Sequence, residues 1–120
     1  MNKLNTLADY IRKAQVGPEQ RKIWVAQFVD DFTRTKNMNM IQNEILSSDE
    51  PISKLFEAVA HQLCLSFNLQ VPIWLLSSKY LKDPFFVSEL PNSKFLALRD
   101  SPYAFRKRNI FVPYHYLSRV

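Results

Sequence analysis

Apolar residues recur at helical spacing through the first half of the chain and lose that spacing after Pro72. Leu4, Leu7, Ala8 and Ile11 form one stripe, which predicts a helix over residues 4–15. Arg12 and Lys13 sit near its C-terminal end, where cations are favoured. Gly17 reads as a helix stop and Pro18 as the opening of the next helix, where a missing N–H costs nothing. Over residues 18–35, Trp24, Val25, Phe28, Val29 and Phe32 cover one side, while Gln27, Asp30, Asp31 and Arg34 cover the other. A short third helix is predicted over 38–46, with Met38 and Met40 as gap fillers. Ser47, Ser48, Asp49, Glu50 and Pro51 then mark a loop and a helix start. The helix that follows, 51–67, carries Ile52, Leu55, Phe56, Val59, Ala60, Leu63 and Phe67 on one face, the pattern of a core helix.

Beyond residue 70, prolines at 72, 84, 91, 102 and 113 permit only short elements. Residues 73–81 read as a helical turn or two, 93–98 as helix or strand, and 102–107 as a short helix capped by Ser101. Residues 109–112 read as extended, with a final short helix from 113. A two-stranded element pairing 95–98 with 110–112 fits the pattern. The reading is a single all-α domain of four to six helices with minor β content. Residues 1–68 form an amphipathic scaffold, and 69–120 form an irregular, proline-punctuated half.

Composition narrows the chemistry. A single glycine in 120 residues leaves no material for a Walker-type phosphate loop, a dinucleotide turn or a nucleophile elbow. One cysteine, Cys64, excludes an intramolecular disulfide framework and a multi-cysteine zinc site. No apolar run reaches the ~20 residues of a membrane helix, and no signal-peptide core is present, so the chain reads as cytoplasmic. Charge is divided unevenly: residues 1–50 hold seven basic and seven acidic side chains, residues 51–120 hold nine and four. The basic half is also the aromatic half, and an anionic partner would dock there.

Candidate sites follow from that asymmetry. In Tyr103-Ala104-Phe105-Arg106-Lys107-Arg108-Asn109, three adjacent cations flanked by rings suit an acidic protein surface or, alternatively, nucleic acid, with rings stacking on bases. On a helix, however, neighbouring residues point ~100° apart, which divides the three. Trp74, Tyr80, Phe85, Phe86 and Phe95 form a dense ring group, either a satellite core or a partner-binding patch. Glu57 and His61, four apart on the core helix, read as a surface pair on its polar side rather than an acid–base site. His115 between Tyr114 and Tyr116 is unspecific. Asp30 and Asp31 read as a solvated face, and Cys64 as a small buried hydrophobe. No catalytic, cofactor-binding or metal-binding residue is expected.

Residues 71–120 resemble a group of small bacterial proteins. The residues that carry the resemblance are Val71-Pro72-Ile73-Trp74, Asp83-Pro84-Phe85-Phe86, the run from Ser101 through Phe105-Arg106-Lys107-Arg108-Asn109-Ile110-Phe111 to Val112, and then Leu117 and Arg119. That group accompanies toxin–antitoxin or similar mobile-element modules. The resemblance implies an antitoxin-like or regulatory protein whose partner is encoded nearby, and it brings no catalytic residue. No separate helix-turn-helix is visible in residues 1–68, so a protein partner is expected ahead of autonomous DNA binding. The expected contacts are Trp74, Phe85, Phe86, Tyr103, Phe105, Arg106, Lys107 and Arg108.

Overall fold

The computed structural model describes residues 6–45, 51–87, 98, 101–112 and 116–117. Helix α1, Leu7–Ala14, begins where the Thr6 N–H donates to the Asp9 carboxylate at 2.9 Å, satisfying one of the first turn's orphan donors. Leu7 and Ile11 of the predicted stripe are buried, joined by Tyr10 and Ala14, while Ala8 is exposed and Leu4 lies outside the described residues. The glycine stop is a correction. Helix α1 ends through a right-handed Gln15, and Gly17 has extended backbone (φ 173°) as the N-cap of α2.

Helix α2, Pro18–Thr35, buries Val25, Phe28, Val29 and Phe32. It closes on Lys36 in the left-handed region (φ 48°), whose N–H reaches the Phe32 carbonyl. Asp31 is not the purely solvated acid of the sequence reading. Tyr10 Oη donates to it at 2.6 Å, tying α2 to α1. Burial alone would raise its pKa, but hydrogen bonds from Tyr10, Gln27 and Arg34 outweigh that and hold it below the usual carboxylate range.

The predicted third helix shrinks to a single 3₁₀ turn, Met38–Met40. Past that turn the chain leaves helical geometry. The Ile41 carbonyl accepts from Trp74 Nε1 at 2.9 Å, and Met40, Ile41 and Ile45 are buried.

Helix α3, Pro51–Ser66, is the axis of the fold and contacts α1, α2 and two later helices. Its apolar face meets α2 through edge-on packing of Phe56 against Phe28, which stacks on Phe32. The opposite face is buried as well: Ser53, Lys54, Glu57 and His61 are all less than 4% exposed. The surface pair expected at Glu57 and His61 is therefore a correction, because the irregular half packs over them. Cys64 is fully buried, and that burial pushes its thiol up to about 11. Native protein at neutral pH is expected to leave Cys64 unmodified by a thiol reagent such as DTNB, with labelling appearing only as the chain unfolds. Stoichiometric labelling of folded protein would contradict its burial.

After Asn68 (φ 56°) the chain makes a one-turn helix, α4, Ile73–Leu76. It then forms strand β1, Phe85–Phe86, helix α5, Tyr103–Arg106, and strand β2, Ile110–Phe111. Strand β2 pairs in parallel with β1, Phe85 opposite Ile110 and Phe86 opposite Phe111. The extended reading of residues 110–112 thus stands with a different partner, and the 95–97 part of the pairing expected with them lies outside the described residues. Leu81 N–H to the Arg108 carbonyl (3.0 Å) and Val87 N–H to the Phe111 carbonyl (3.1 Å) extend the zipper at both ends. Ser101 does not cap α5. Its hydroxyl instead donates to the Val112 carbonyl and accepts from the Val112 N–H, at 3.1 and 2.9 Å. Phe95, His115 and Arg119, the acids Asp49 and Glu50, and most of the predicted final helix lie outside the described residues. Over the described residues the molecule is mostly helical, with a minimal two-stranded parallel sheet.

Candidate functional site

Lys54, Glu57 and His61 stand at i, i+3 and i+7 on α3 and so share one stripe. Covering a stripe with two ionic side chains needs charge-bearing partners, because an unpaired buried charge is prohibitively costly. The cover is Arg108, which follows α5 and is fully buried. One terminal nitrogen donates to the Ala104 carbonyl at 2.9 Å and contacts His61 Nδ1 at 3.0 Å, and the other donates to the Leu75 carbonyl at 2.7 Å. Its Nε stands 3.9 Å from Glu57 Oε1. One guanidinium thus joins α3, α4 and α5, using the fixed fork of donors that lysine lacks.

Arginine can only donate, so His61 Nδ1 is the acceptor and its other ring nitrogen carries the proton. Burial, then the positive charges of Arg108 and Lys107, hold His61 down to about 4, a neutral imidazole at physiological pH. Tyr103 packs edge-on against the ring, centroids 6.1 Å apart. Burial lowers Arg108 to about 10, opposed by the Glu57 carboxylate, so the guanidinium stays charged at neutral pH.

At the other end of the stripe, Lys54 Nζ donates to Ser78 Oγ at 3.0 Å and lies 3.6 Å from Glu57 Oε1. The Ser78 hydroxyl donates to Glu57 Oε1. Glu57 Oε2 has no hydrogen-bond partner among the described residues. Lys54, Glu57 and Ser78 form the inner wall of a cavity of about 230 Å³. Glu44, Ile45, Trp74, Ser77 and Lys79 complete its lining. Among the described residues, no three His, Cys, Asp or Glu side chains gather as a metal site.

The eight residues expected to contact a partner are dispersed. Phe105 and Arg108 are 0% exposed, a correction to their reading as contacts: Phe105 belongs to the core and meets Tyr116 edge-on, while Arg108 anchors the buried stripe. Trp74 is half-buried through its bond to Ile41, Phe85 lies under the Arg21 guanidinium, and Phe86 stacks on Phe111. Three remain outward. Tyr103 is 62% exposed, Arg106 is exposed with its guanidinium on the Leu98 carbonyl, and Lys107 reaches the Leu76 carbonyl at 2.9 Å. Leu76 and Leu98 are themselves about half exposed. Sequence reasoning missed Lys54 and Ser78. The available signal was the i, i+3, i+7 polar stripe of α3, which looks the same whether solvent or Arg108 covers it.

No known protein-family model matches this chain, and no curated protein or solved structure is significantly similar to it. No helix among the described residues is long and apolar enough to cross a membrane.

Proposed function

We propose that the chain is a non-enzymatic interaction protein that docks an acidic surface of a protein partner through Leu76, Leu98, Tyr103, Arg106 and Lys107. One observation carries this reading. Two cations are held by the backbone carbonyls of half-exposed leucines, beside a tyrosine ring 62% exposed. Aromatic and arginine anchors next to apolar area are the composition of interface hot spots, and the cations supply steering and register. The run from Ser101 to Val112 holds three basic residues and no acid, so the complementary surface is acidic. The buried stripe supports a non-enzymatic reading, because His61 is committed to Arg108 rather than to a nucleophile. Within the 106–108 run, Arg108's burial leaves two cations outward instead of three, which favours protein over nucleic acid.

The resemblance of residues 71–120 makes the product of the adjacent open reading frame the first partner to test, in an antitoxin-like role. Co-expression and affinity capture are expected to recover a complex that weakens as salt rises. Tyr103→Ala combined with Lys107→Glu should lower its affinity about 30-fold, since hot-spot truncations cost about 2 kcal/mol, with the helical circular dichroism of the folded domain retained. Full affinity in the double variant, or no complex at all, removes the proposal. Salt-sensitive binding of a DNA duplex by the chain alone would transfer the face to nucleic acid instead.

A further inference from the structure

The cavity beside Lys54 lies on the Trp74 and Ser77 side of α4, and its chemistry is independent of the docking face. Three observations converge on it. The first is size: about 230 Å³ is room for roughly seven or eight waters at ~30 Å³ each, so only a compact ligand fits. The second is an unsatisfied acceptor, Glu57 Oε2, on a side chain 2% exposed that lines the cavity. Buried polar atoms are nearly always partnered, and an orphaned carboxylate oxygen calls for a donor.

The third observation is the balance of charge. Lys54, Lys79, Glu44 and Glu57 all line the cavity, and Arg108 stands 3.9 Å from Glu57. Among the described residues the local sum is one positive charge in excess. A lone cation would add to that excess, while a bare anion would leave Glu57 Oε2 without its donor. A carboxylate beside a hydroxyl meets both demands, while a carboxylate beside an ammonium supplies the donor and adds no net charge. We propose that this cavity binds a compact 2-amino or 2-hydroxy carboxylic acid. Its carboxylate lies toward Lys54, Lys79 and the Ser77 hydroxyl, its amino or hydroxyl group donates to Glu57, and the Trp74 indole and Ile45 pack on its carbon skeleton.

The test is isothermal titration calorimetry on the intact chain with four probes: L-serine, glycolate, acetate and ethanolamine. L-serine or glycolate should bind saturably with a dissociation constant of about 1 mM or tighter. Acetate lacks the donor and ethanolamine the carboxylate, and each should bind at least about tenfold more weakly. Lys79→Ala and Ser77→Ala, both at exposed positions outside the buried stripe, should each weaken the preferred probe by about tenfold while leaving the melting temperature unchanged. Failure of both L-serine and glycolate to saturate, equal binding of acetate, or undiminished binding in the two variants overturns the proposal. None of these outcomes bears on the partner-docking face, whose variants lie on α5 and the residue following it.

Discussion

Replacing Arg108 with alanine is expected to remove about 3–5 kcal/mol of stability, the cost of breaking a buried charge pair by deleting one partner. The loss has three parts on this molecule. The Leu75 and Ala104 carbonyls each lose a guanidinium donor, His61 Nδ1 loses its hydrogen-bond partner among the described residues, and Glu57 keeps a buried carboxylate with one basic neighbour fewer. A native domain has only about 5–15 kcal/mol in total. Urea denaturation should therefore show the midpoint falling by about 2 M, at a slope near 2 kcal/mol/M. Arg108→Lys should recover only part of the loss, because an ammonium on a flexible stem cannot reproduce the planar fork. Arg106→Ala, two residues away and exposed, should stay within about 0.5 kcal/mol of the parent. If Arg108→Ala and Arg106→Ala gave the same midpoint, Arg108 would be a surface cation and the keystone role would be wrong.

That contrast shows what the sequence made legible. Helices α2 and α3 were readable because their apolar residues repeat at helical spacing over several turns, and the proline at the head of each marks its start. The 38–46 segment was not, because whether Ile41 continues a helix depends on an indole 33 residues away that takes its carbonyl. The basic run suffered most from this kind of blindness. Arg106, Lys107 and Arg108 are interchangeable as letters, yet a helical turn points them in different directions. One ends at the Leu98 carbonyl, one at Leu76 and one inside. Likewise, Lys54, Glu57 and His61 have the spacing of any solvated helix face. Only the arrival of Arg108, 47 residues beyond His61, makes that face interior. The aromatic group divided for the same reason, with Tyr80 at 72% exposure while Phe85 and Phe86 form strand β1, Phe85 against the core and Phe86 stacked on Phe111.

The buried histidine makes stability depend on pH, in a direction that can be worked out. Burial, then Arg108 and Lys107, depress the folded-state pKa to about 4, against about 6.5 in the unfolded chain. Above pH 6.5 the ring is neutral in both states and contributes no slope. Between 6.5 and 4 the unfolded chain binds a proton that the folded chain refuses, so stability falls as pH falls, by about 1.4 kcal/mol per unit. Below 4 both states are protonated and the slope vanishes. The accumulated loss is roughly 2 kcal/mol at pH 5 and roughly 3 at pH 4. Carboxylates add their own acid dependence, so the informative quantity is the difference from His61→Asn, whose amide oxygen replaces Nδ1 as an acceptor without titrating. The wild-type chain should lose stability relative to that variant from pH 7 to pH 5 by roughly 2 kcal/mol in urea titrations. An NMR titration gives the same answer residue by residue: the His61 ring resonance should hold still from pH 7 to pH 5 and move only near pH 4. A midpoint near 6.5 would show that His61 reaches water, and the packing of Arg108 and Tyr103 over it would have to be abandoned.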